Sequence, residues 1–324
     1  MASWCWRCCT HAGDEATWDG ATGAELERLL DVPRVLIFDS TTSTLDIAHE
    51  EAAAGAPAGT VVIANEQTVG RGRGGNSWSS PAGAGIWMTL LERPAETSGL
   101  EVLSLRVGMA AARSLDSFAE EPVRLKWPND IYLDDRKLAG TLVEARWRDQ
   151  SLEYVAIGFG VNVEQPPEKS GRAGLDDGTR RLDVLGGLVA GMREAAAATG
   201  SLTPSEIEEF AARDIARGRH CTEPALGRVA GISARGELLV ALQRGVHLVG
   251  DRLRLPGVLP GRDHEVVGVV ADRPHVEDRH VRRQPLLTES GDAACVLERT
   301  QVGVVRSVDS LRSVPLSSGR ATLS

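Results

Sequence analysis

A segment rich in glycine and arginine, placed between two apolar runs, is the feature that most constrains the fold. Thr60–Asn65 is a β-branched apolar run that predicts a buried strand, and Gly85–Leu91 predicts a second strand soon after it. Between them, residues 70–78 read Gly-Arg-Gly-Arg-Gly-Gly-Asn-Ser-Trp. The glycines let the backbone approach a ligand closely, and the two arginines supply planar donors for an anion. The sequence therefore predicts an anion-binding loop between two strands.

The glycine spacing also matches a pattern that the surrounding sequence excludes. Gly70, Gly72 and Gly75 satisfy G-x-G-x-x-G, the dinucleotide-binding fingerprint, which requires a helix directly after the loop. Residues 79–85 are instead rich in serine, glycine and proline, which predicts more loop. A flexible Arg-Gly linker is the other alternative, and the strands on both sides weaken it.

Lysine usage points to a second segment of interest. The chain contains three lysines and thirty-three arginines, yet Lys126 and Lys137 lie close together in the stretch KWPNDIYLDDRKLAG of residues 126–140. Lysine is a compact point charge, whereas arginine is a broad planar fork. A point charge suits a phosphate or carboxylate oxygen that moves during a reaction. From the lysines alone, chance clustering of surface charge remains an alternative.

Composition limits the class of protein. At 324 residues with 42% apolar content, the chain is long enough for two domains with a buried core. Its net charge of −9 argues against a nucleic-acid-binding surface. We see no apolar run of membrane-spanning length and no signal-peptide core, so we expect a cytoplasmic protein with neither nucleic-acid nor membrane partners. Cys5, Cys8, Cys9 and His11 crowd the N-terminus, but no second pair stands at zinc-site spacing, so we expect no metal there.

Periodicity and turn residues divide the chain into alternating elements. Helices are predicted over residues 24–30, 43–55 with Ser43 as N-cap, 100–118, 183–198 and 205–213. Strands are predicted over 34–38 and 123–127, between 131 and 163 with tight turns at 134–135 and 149–150, and over 227–233 and 236–242. Residues 256–324 are rich in Arg, Asp, Pro and Ser and are expected to be disordered.

Five motifs in one order resemble the biotin–protein ligase family. They are Asp39-Ser40-Thr41-Thr42, Gln67 with the glycine–arginine loop and Trp78, the 126–140 block, Leu142-Val143-Glu144, and Ile157–Asn162. The resemblance implies an α+β fold similar to class II aminoacyl-tRNA synthetases, with a mixed, mainly antiparallel sheet, helices on it and a small SH3-like β-barrel. The corresponding ranges are an N-terminal extension (1–32), a catalytic domain (33–203), the SH3-like domain (204–255) and a C-terminal extension (256–324).

The family activates biotin with ATP to biotinyl-5′-AMP and transfers it to a lysine of a biotin carboxyl carrier protein, so the resemblance implies ATP and biotin as substrates, with Mg²⁺. Its implied catalytic residues are Lys137, which would meet the biotin carboxylate and the α-phosphate, and Arg71 and Arg73 of the loop that folds over the adenylate. Implied biotin contacts are Ser40, Thr41, Thr42, Gln67, Arg71, Arg73, Lys137 and Gly140. Implied ATP or adenylate contacts are Gly70, Gly72, Trp78, Lys126, Asn129, Asp130 and Asn162, with Mg²⁺ on Asp130. Ordinary turn or capping hydrogen bonds are the alternative for Thr42 and Asp130.

Three other functions are weighed against this one. Lipoate ligases and octanoyl transferases share the fold and chemistry but lack the combination of this loop with the Trp127-Pro128-Asn129-Asp130 block. A biotin-responsive repressor is disfavoured because the residues before Arg34 are too few for a winged helix. A catalytically inactive binding module is the third, and Gly74 and Asn76, where family loops commonly carry more arginine, leave the retention of the adenylate open. We expect a monomer or weak homodimer.

Overall fold

The computed structural model describes residues 16–222, 226–242, 245–249 and 304–305. Its helices are α1 (Gly23–Leu30), α2 (Thr44–Ala53), α3 (Leu103–Leu115), α4 (Arg181–Ala197) and α5 (Pro204–Arg213). Its strands are β1 (Thr17–Trp18), β2 (Ala21–Thr22), β3 (Arg34–Thr41), β4 (Thr60–Gln67), β5 (Gly85–Glu92), β6 (Arg124–Lys126), β7 (Asp130–Leu133), β8 (Arg136–Arg148), β9 (Ser151–Asn162), β10 (His220–Cys221), β11 (Gly227–Ile232), β12 (Leu238–Leu242), β13 (Gly245–Val249) and β14 (Val304–Val305).

The main sheet is mixed and largely antiparallel. Its strands lie in the order β3-β4-β5-β9-β8-β7-β6, and β14 pairs with β8. The β3–β4 and β14–β8 pairs are parallel, and the other pairs are antiparallel. A separate antiparallel sheet contains β10 to β13 in sequence order. The α+β arrangement predicted from the resemblance is therefore confirmed, whereas the predicted domain boundaries stay predictions.

Helices cover both faces of the main sheet. On one face α3 and α4 pack against each other and against β8 and β5, while α2 packs on β4, β5 and β9. Neighbouring residues of a strand point to opposite faces, so Leu90 belongs to the large core with α3 and α4, and Leu91 to the smaller core under α2. The residues at the start of α2 are consequently fixed against the sheet by a buried apolar contact, Leu45.

Local sequence explains most element ends, with one exception. The predicted tight turns are present, since Asp134, Asp135, Asp149 and Gln150 all have positive φ, a conformation that Asp and Asn-like residues tolerate best among non-glycines. Ser43 occupies the N-cap position of α2, but its side chain makes no capping hydrogen bond. The prediction that Ser43 is the N-cap residue of this helix is therefore confirmed, although its hydroxyl takes no part in the cap.

The second sheet is joined to the main sheet by hydrogen bonds. The indole Nε1 of Trp127, next to the cis peptide bond before Pro128, donates to the Gly236 carbonyl at 2.8 Å. The backbone N–H of Leu202 donates to the Ala234 carbonyl at 2.8 Å. Over the described ranges, no helix is both long and apolar enough to cross a bilayer. The N-terminal cysteines and His11, and the proposed C-terminal extension except Val304–Val305, lie outside the described residues.

Candidate active site

A cleft with about 860 Å³ of empty space, open solvent included, lies where the glycine–arginine loop crosses the main sheet. The loop, the start of α2, and strands β7, β8 and β9 contribute its walls. Its lining residues are Ser43, Thr44, Leu45, Gln67, Arg71, Gly72, Arg73, Asn76, Ser77, Trp78, Met88, Asn129, Asp130, Lys137, Gly140, Thr141, Leu142, Gly158, Phe159, Gly160 and Arg172.

The glycine–arginine loop folds back on itself as a short hairpin. The N–H of Trp78 donates to the Gly70 carbonyl at 2.8 Å, and the N–H of Gly72 donates to the Asn76 carbonyl at 2.7 Å. At Gly70 a Cβ atom would lie 2.4 Å from the Trp78 carbonyl oxygen, so the close pairing of the two arms requires glycine. The side-chain amide of Asn76 donates to the Arg73 carbonyl at 2.7 Å and closes the turn. Asn76, a departure from the family pattern, thus stabilises the loop internally.

One end of the cleft is polar but uncharged. The Oε1 atom of Gln67 accepts the N–H of Thr44 at 2.9 Å and its hydroxyl at 3.2 Å, and Nε2 of Gln67 donates to the Ser80 hydroxyl at 2.8 Å. The Thr44 hydroxyl also lies 2.9 Å from that of Thr89. Ser43 and Thr44 are both buried. This network presents hydroxyl and amide groups at fixed positions, which suits a neutral ligand rich in donors and acceptors.

The structure places the predicted Ser40, Thr41 and Thr42 away from this end. Ser40 is exposed and its hydroxyl donates to Glu66 at 3.1 Å, and Thr42 is exposed as well. None of the three belongs to the lining of the cleft, in which Ser43 and Thr44 lie instead. Strand β3 continues to Thr41, three residues beyond its predicted end at Phe38. The contact of Ser40, Thr41 and Thr42 with biotin stays a prediction.

The middle of the cleft is cationic. The ammonium group of Lys137 lies 2.7 Å from Asp130 Oδ1 and 5.2 Å from the centroid of the Trp78 ring. Arg73 donates to the Asn129 side-chain oxygen at 3.2 Å, while Arg71 lies 3.0 Å from Asp46. Three of the predicted cations therefore meet in one cleft, and the fourth, Lys126, does not line it.

Lys126 lies beside the cleft, with its ammonium 5.6 Å from the centroid of the Tyr132 ring. Burial lowers the pKa of Lys126, and the charge of Lys137 lowers it further against the opposing effect of Asp130. Asp130 is thus the acid that faces both lysines. It lies on β7, between β6 and β8. Among the described residues that line the cleft, it is also the one carboxylate.

Trp78 forms part of the floor of the cleft. Its ring lies edge-on to Trp87 with the centroids 6.5 Å apart. A Cβ at Gly160 would lie 2.6 Å from Trp78 Nε1, so the indole lies flat against a strand that must be glycine there. Gly140 is in contact distance of the same ring. An aromatic face bordered by a lysine is a suitable platform for a heterocyclic base.

Six of the predicted site residues do not line the cleft, and several lining residues were missed; the six are Ser40, Thr41, Thr42, Gly70, Lys126 and Asn162. Asn162 is buried and its amide donates to the Ala173 carbonyl at 3.0 Å, which ties β9 to the following loop. Arg172, on that loop, lines the cleft, and its backbone pairs with Lys137. No sequence signal marks Arg172, because it follows a long irregular segment. Ser43 and Thr44 carried a signal that was read as helix capping.

Comparisons with known proteins agree with this geometry. Residues 35–162 match the biotin/lipoate A/B protein ligase family. The chain is 37% identical over 134 residues to the bifunctional ligase/repressor BirA of Bacillus subtilis, covering 41% of this chain and 41% of that protein. It is 37% identical over 118 residues to the biotin–[acetyl-CoA-carboxylase] ligase of Mycobacterium tuberculosis, covering 34% and 42%. The aligned parts thus span about two fifths of each relative.

A solved structure shares the fold over a larger part of the chain. The biotin protein ligase from Aquifex aeolicus, in complex with biotin and ATP, superimposes with a TM-score of 0.58 at 24% identity, covering 68% of this chain and 98% of that one. At that identity the likeness concerns the fold. Residues 35–162 thus match the biotin/lipoate A/B protein ligase family, and the fold of a larger part of the chain is similar to that of the Aquifex aeolicus protein.

Proposed function

We propose that this protein is a biotin–protein ligase, which activates biotin with ATP and transfers it to a lysine of a biotin carboxyl carrier protein or domain. The observation that carries the proposal is the polarity of the cleft along its length. Gln67, Ser43 and Thr44 give one part of the lining neutral hydrogen-bonding groups, and Lys137 with Arg73 gives another part positive charge. Biotin has the same polarity, with a neutral ureido ring at one end and a carboxylate at the other.

The polar end also distinguishes biotin from lipoate. A dithiolane ring has no N–H or C=O groups, so it would leave the buried Ser43 and Thr44 groups without ligand partners. A site built to hydrogen-bond a ligand discriminates strongly against an analogue that lacks the group. The Mycobacterium tuberculosis relative reported above, which by its name is a biotin ligase, supports the same choice.

Activation requires the carboxylate of biotin to attack the α-phosphate of ATP. The bond from the carboxylate oxygen to phosphorus forms, the bond to the bridging oxygen breaks, and pyrophosphate leaves. Two anions must approach, so positive charge from Lys137, Arg73 and Arg172 stabilises the transition state. Trp78 offers its ring to the adenine, and the hairpin loop excludes water from the mixed anhydride.

Magnesium fits this site as a partner of the nucleotide. No group of three metal-ligating side chains occurs among the described residues, and Mg²⁺ commonly uses one or two carboxylates plus substrate phosphates. Asp130, beside the cationic centre, would hold the ion, whose charge would neutralise the polyphosphate.

Transfer completes the reaction. The neutral ε-amine of a carrier lysine attacks the anhydride carbonyl, an amide forms, and AMP leaves with the electron pair of the broken C–O bond. Avidin detects the biotin that this amide attaches to the carrier lysine. The carrier must reach the cleft past the loop, so loop movement would control access.

The test is transfer of biotin by the purified full chain to a carrier domain with ATP and Mg²⁺. We expect avidin-detectable carrier that depends on ATP and disappears when the carrier lysine is replaced by arginine. Octanoate and lipoate are supplied in parallel reactions. Transfer of either acid in preference to biotin would replace this proposal with the lipoate or octanoate alternative, and pyrophosphate release without any transfer would contradict both.

A further inference from the structure

A chain of polar contacts joins the glycine–arginine loop to the elements behind it. The guanidinium of Arg71 lies 3.0 Å from Asp46 Oδ1, in the first turn of α2, and 3.6 Å from Glu144 Oε1 on β8. The other carboxylate oxygen of Glu144 lies 2.6 Å from His49 Nε2. His49 Nδ1 in turn lies 2.9 Å from the Tyr154 hydroxyl on β9. Two carboxylates therefore contact Arg71, and one of them, that of Glu144, is itself hydrogen-bonded to His49.

These contacts separate the roles of the two loop arginines. Two carboxylates face Arg71, and one contact of Arg73 is a hydrogen bond to the side chain of Asn129 on the other side of the cleft. Carboxylates beside a guanidinium repel the same anion that the guanidinium attracts, so their presence weakens the attraction of Arg71 for a negative ligand. The contacts of Arg71 suit an anchor better than an anion receptor.

We propose that Arg71 anchors the loop to α2 and β8, and that Glu144 is the positioning residue that fixes Arg71 in place. His49 binds one oxygen of Glu144 and so leaves the other oxygen directed at Arg71. The importance of this anchor for catalysis rests on the proposed biotin ligase function. Its physical effect is to order the loop before substrate enters, which reduces the entropy lost on binding.

Glu144 is suited to this position by its charge and its setting. Burial raises the pKa of its carboxyl, but the hydrogen bond from His49 and the charges of Arg71, His49 and Arg146 outweigh burial, and the pKa lies below its usual value. Glu144 is therefore ionised at neutral pH. Its side chain is 22% exposed and that of His49 is 20% exposed, so solvent screens their interaction less than it screens a fully exposed pair.

A double-mutant cycle measured by hydrogen exchange tests the anchor in the ligand-free full chain. The variants are Arg71→Gln, Glu144→Gln and the combination, and the readout is exchange of the hydrogen-bonded amides of Gly72 and Trp78. We expect each single substitution to accelerate exchange by about threefold to tenfold, and the double variant to exchange no faster than the faster single variant. Glu51→Gln is the matched control, because it removes a 2.8 Å ion pair between Glu51 of α2 and Arg34 of β3, away from the loop.

Kinetics separate an anchor from a merely structural contact. We expect Glu144→Gln to raise the KM for biotin while kcat falls less, with a melting temperature equal to that of Glu51→Gln. If Glu144→Gln does not fold, Asp46→Asn breaks the other contact of Arg71 and is measured instead. Unchanged loop exchange in a folded anchor variant, or additive effects in the double variant, would overturn the inference. If the wild-type chain transfers no biotin, the proposed function is contradicted, but the hydrogen-exchange test of the anchor remains valid.

Discussion

Lys137 and Asp130 form one ion pair in the cleft, with 2.7 Å between the ammonium nitrogen and the carboxylate oxygen. The sequence-based assignment gave them to different parts of the reaction, Lys137 to the biotin carboxylate and Asp130 to the nucleotide and metal. Their contact means that the two roles belong to one ion pair. In the proposed reaction Asp130 would orient Lys137 before the substrates bind.

Removal of the lysine charge tests this centre. Lys137→Ala is expected to reduce formation of biotinyl-5′-AMP by about 10² to 10³, since a group of this kind contributes about 3–4 kcal/mol to the transition state. Pyrophosphate release with biotin and ATP measures the step, and a thermal melt confirms folding. Asp130→Asn keeps Lys137, so at saturating Mg²⁺ its rate of pyrophosphate release is expected to fall less than that of Lys137→Ala. Near-normal pyrophosphate release by a folded Lys137→Ala chain would contradict the assignment.

The second loop arginine is expected to control retention of the adenylate. Arg73→Gly removes the contact with Asn129 across the cleft, so the loop should cover the reactive anhydride less completely and release more of it. Labelling of an unrelated bystander protein, detected with avidin, is expected to rise severalfold. Arg34→Gly, at a surface arginine on β3, controls for loss of charge. Equal bystander labelling by Arg73→Gly and the parent chain would show that Arg73 does not retain the intermediate.

Removal of one hydroxyl group tests whether the polar, uncharged residues of the cleft bind biotin. Thr44→Val preserves shape and removes the hydroxyl that binds Gln67 and Thr89, and we expect the KM for biotin to rise by about threefold to tenfold. Thr89→Val breaks the same Thr44–Thr89 contact from a residue outside the cleft lining, so it should lower stability with little change in KM. Ser40→Ala should leave KM within about twofold. A larger effect at Ser40 than at Thr44 would restore the original assignment.

How far the sequence predicted this site depended on the kind of signal. Gly72 and Lys137 were marked by a backbone constraint or a rare residue type, Gln67 and Trp78 by the family resemblance, and all four line the cleft. Ser40 and Thr41 also came from the family resemblance, and their contact with biotin stays a prediction, whereas Ser43 and Thr44 line the cleft. Arg172 and the Arg71–Glu144–His49 contacts depend on tertiary packing, for which one sequence contains no periodic signal.

For the fold, too, the sequence predicted those features that a local signal marks. Helices and turns with local determinants were predicted nearly to their ends, such as α5, where Thr203 and Glu206 form a capping box before the run that ends at Arg213. Strand order could not be derived from periodicity, since the pairing of β5 with β9 joins residues about seventy positions apart. The family resemblance implied only a mixed, mainly antiparallel sheet, and the hydrophobic patterns of several strands are interchangeable, so the order of the strands was not predicted.

The last prediction concerns stability and a buried acid between α5 and the second sheet. Asp214 is 3% exposed, its Oδ1 accepts the Ala216 N–H at 2.8 Å, and its Oδ2 has no partner among the described residues. Burial raises the pKa of Asp214 from 3.8 to about 6, despite opposing backbone hydrogen bonds and nearby arginines. The folded state therefore holds this proton more tightly than the unfolded state. The resulting stability is fully present below pH 3.8 and is lost as the pH rises through about 6.

Asparagine mimics the neutral acid and keeps the Oδ1 contact, so Asp214→Asn is expected to gain stability over the parent at pH 8 but little at pH 4. The gain is bounded by about 3 kcal/mol, the value of a two-unit shift in pKa. Denaturant unfolding of both proteins at several pH values measures the difference in their free energies of unfolding. The contributions of all other acids cancel in this difference. Asp183→Asn is the control, because the hydrogen bond from Arg180 lowers the pKa of that exposed carboxyl and should give no gain at high pH. A stability difference between Asp214→Asn and the parent that stays constant from pH 4 to pH 8 would show that Asp214 is ionised in the folded protein throughout that range.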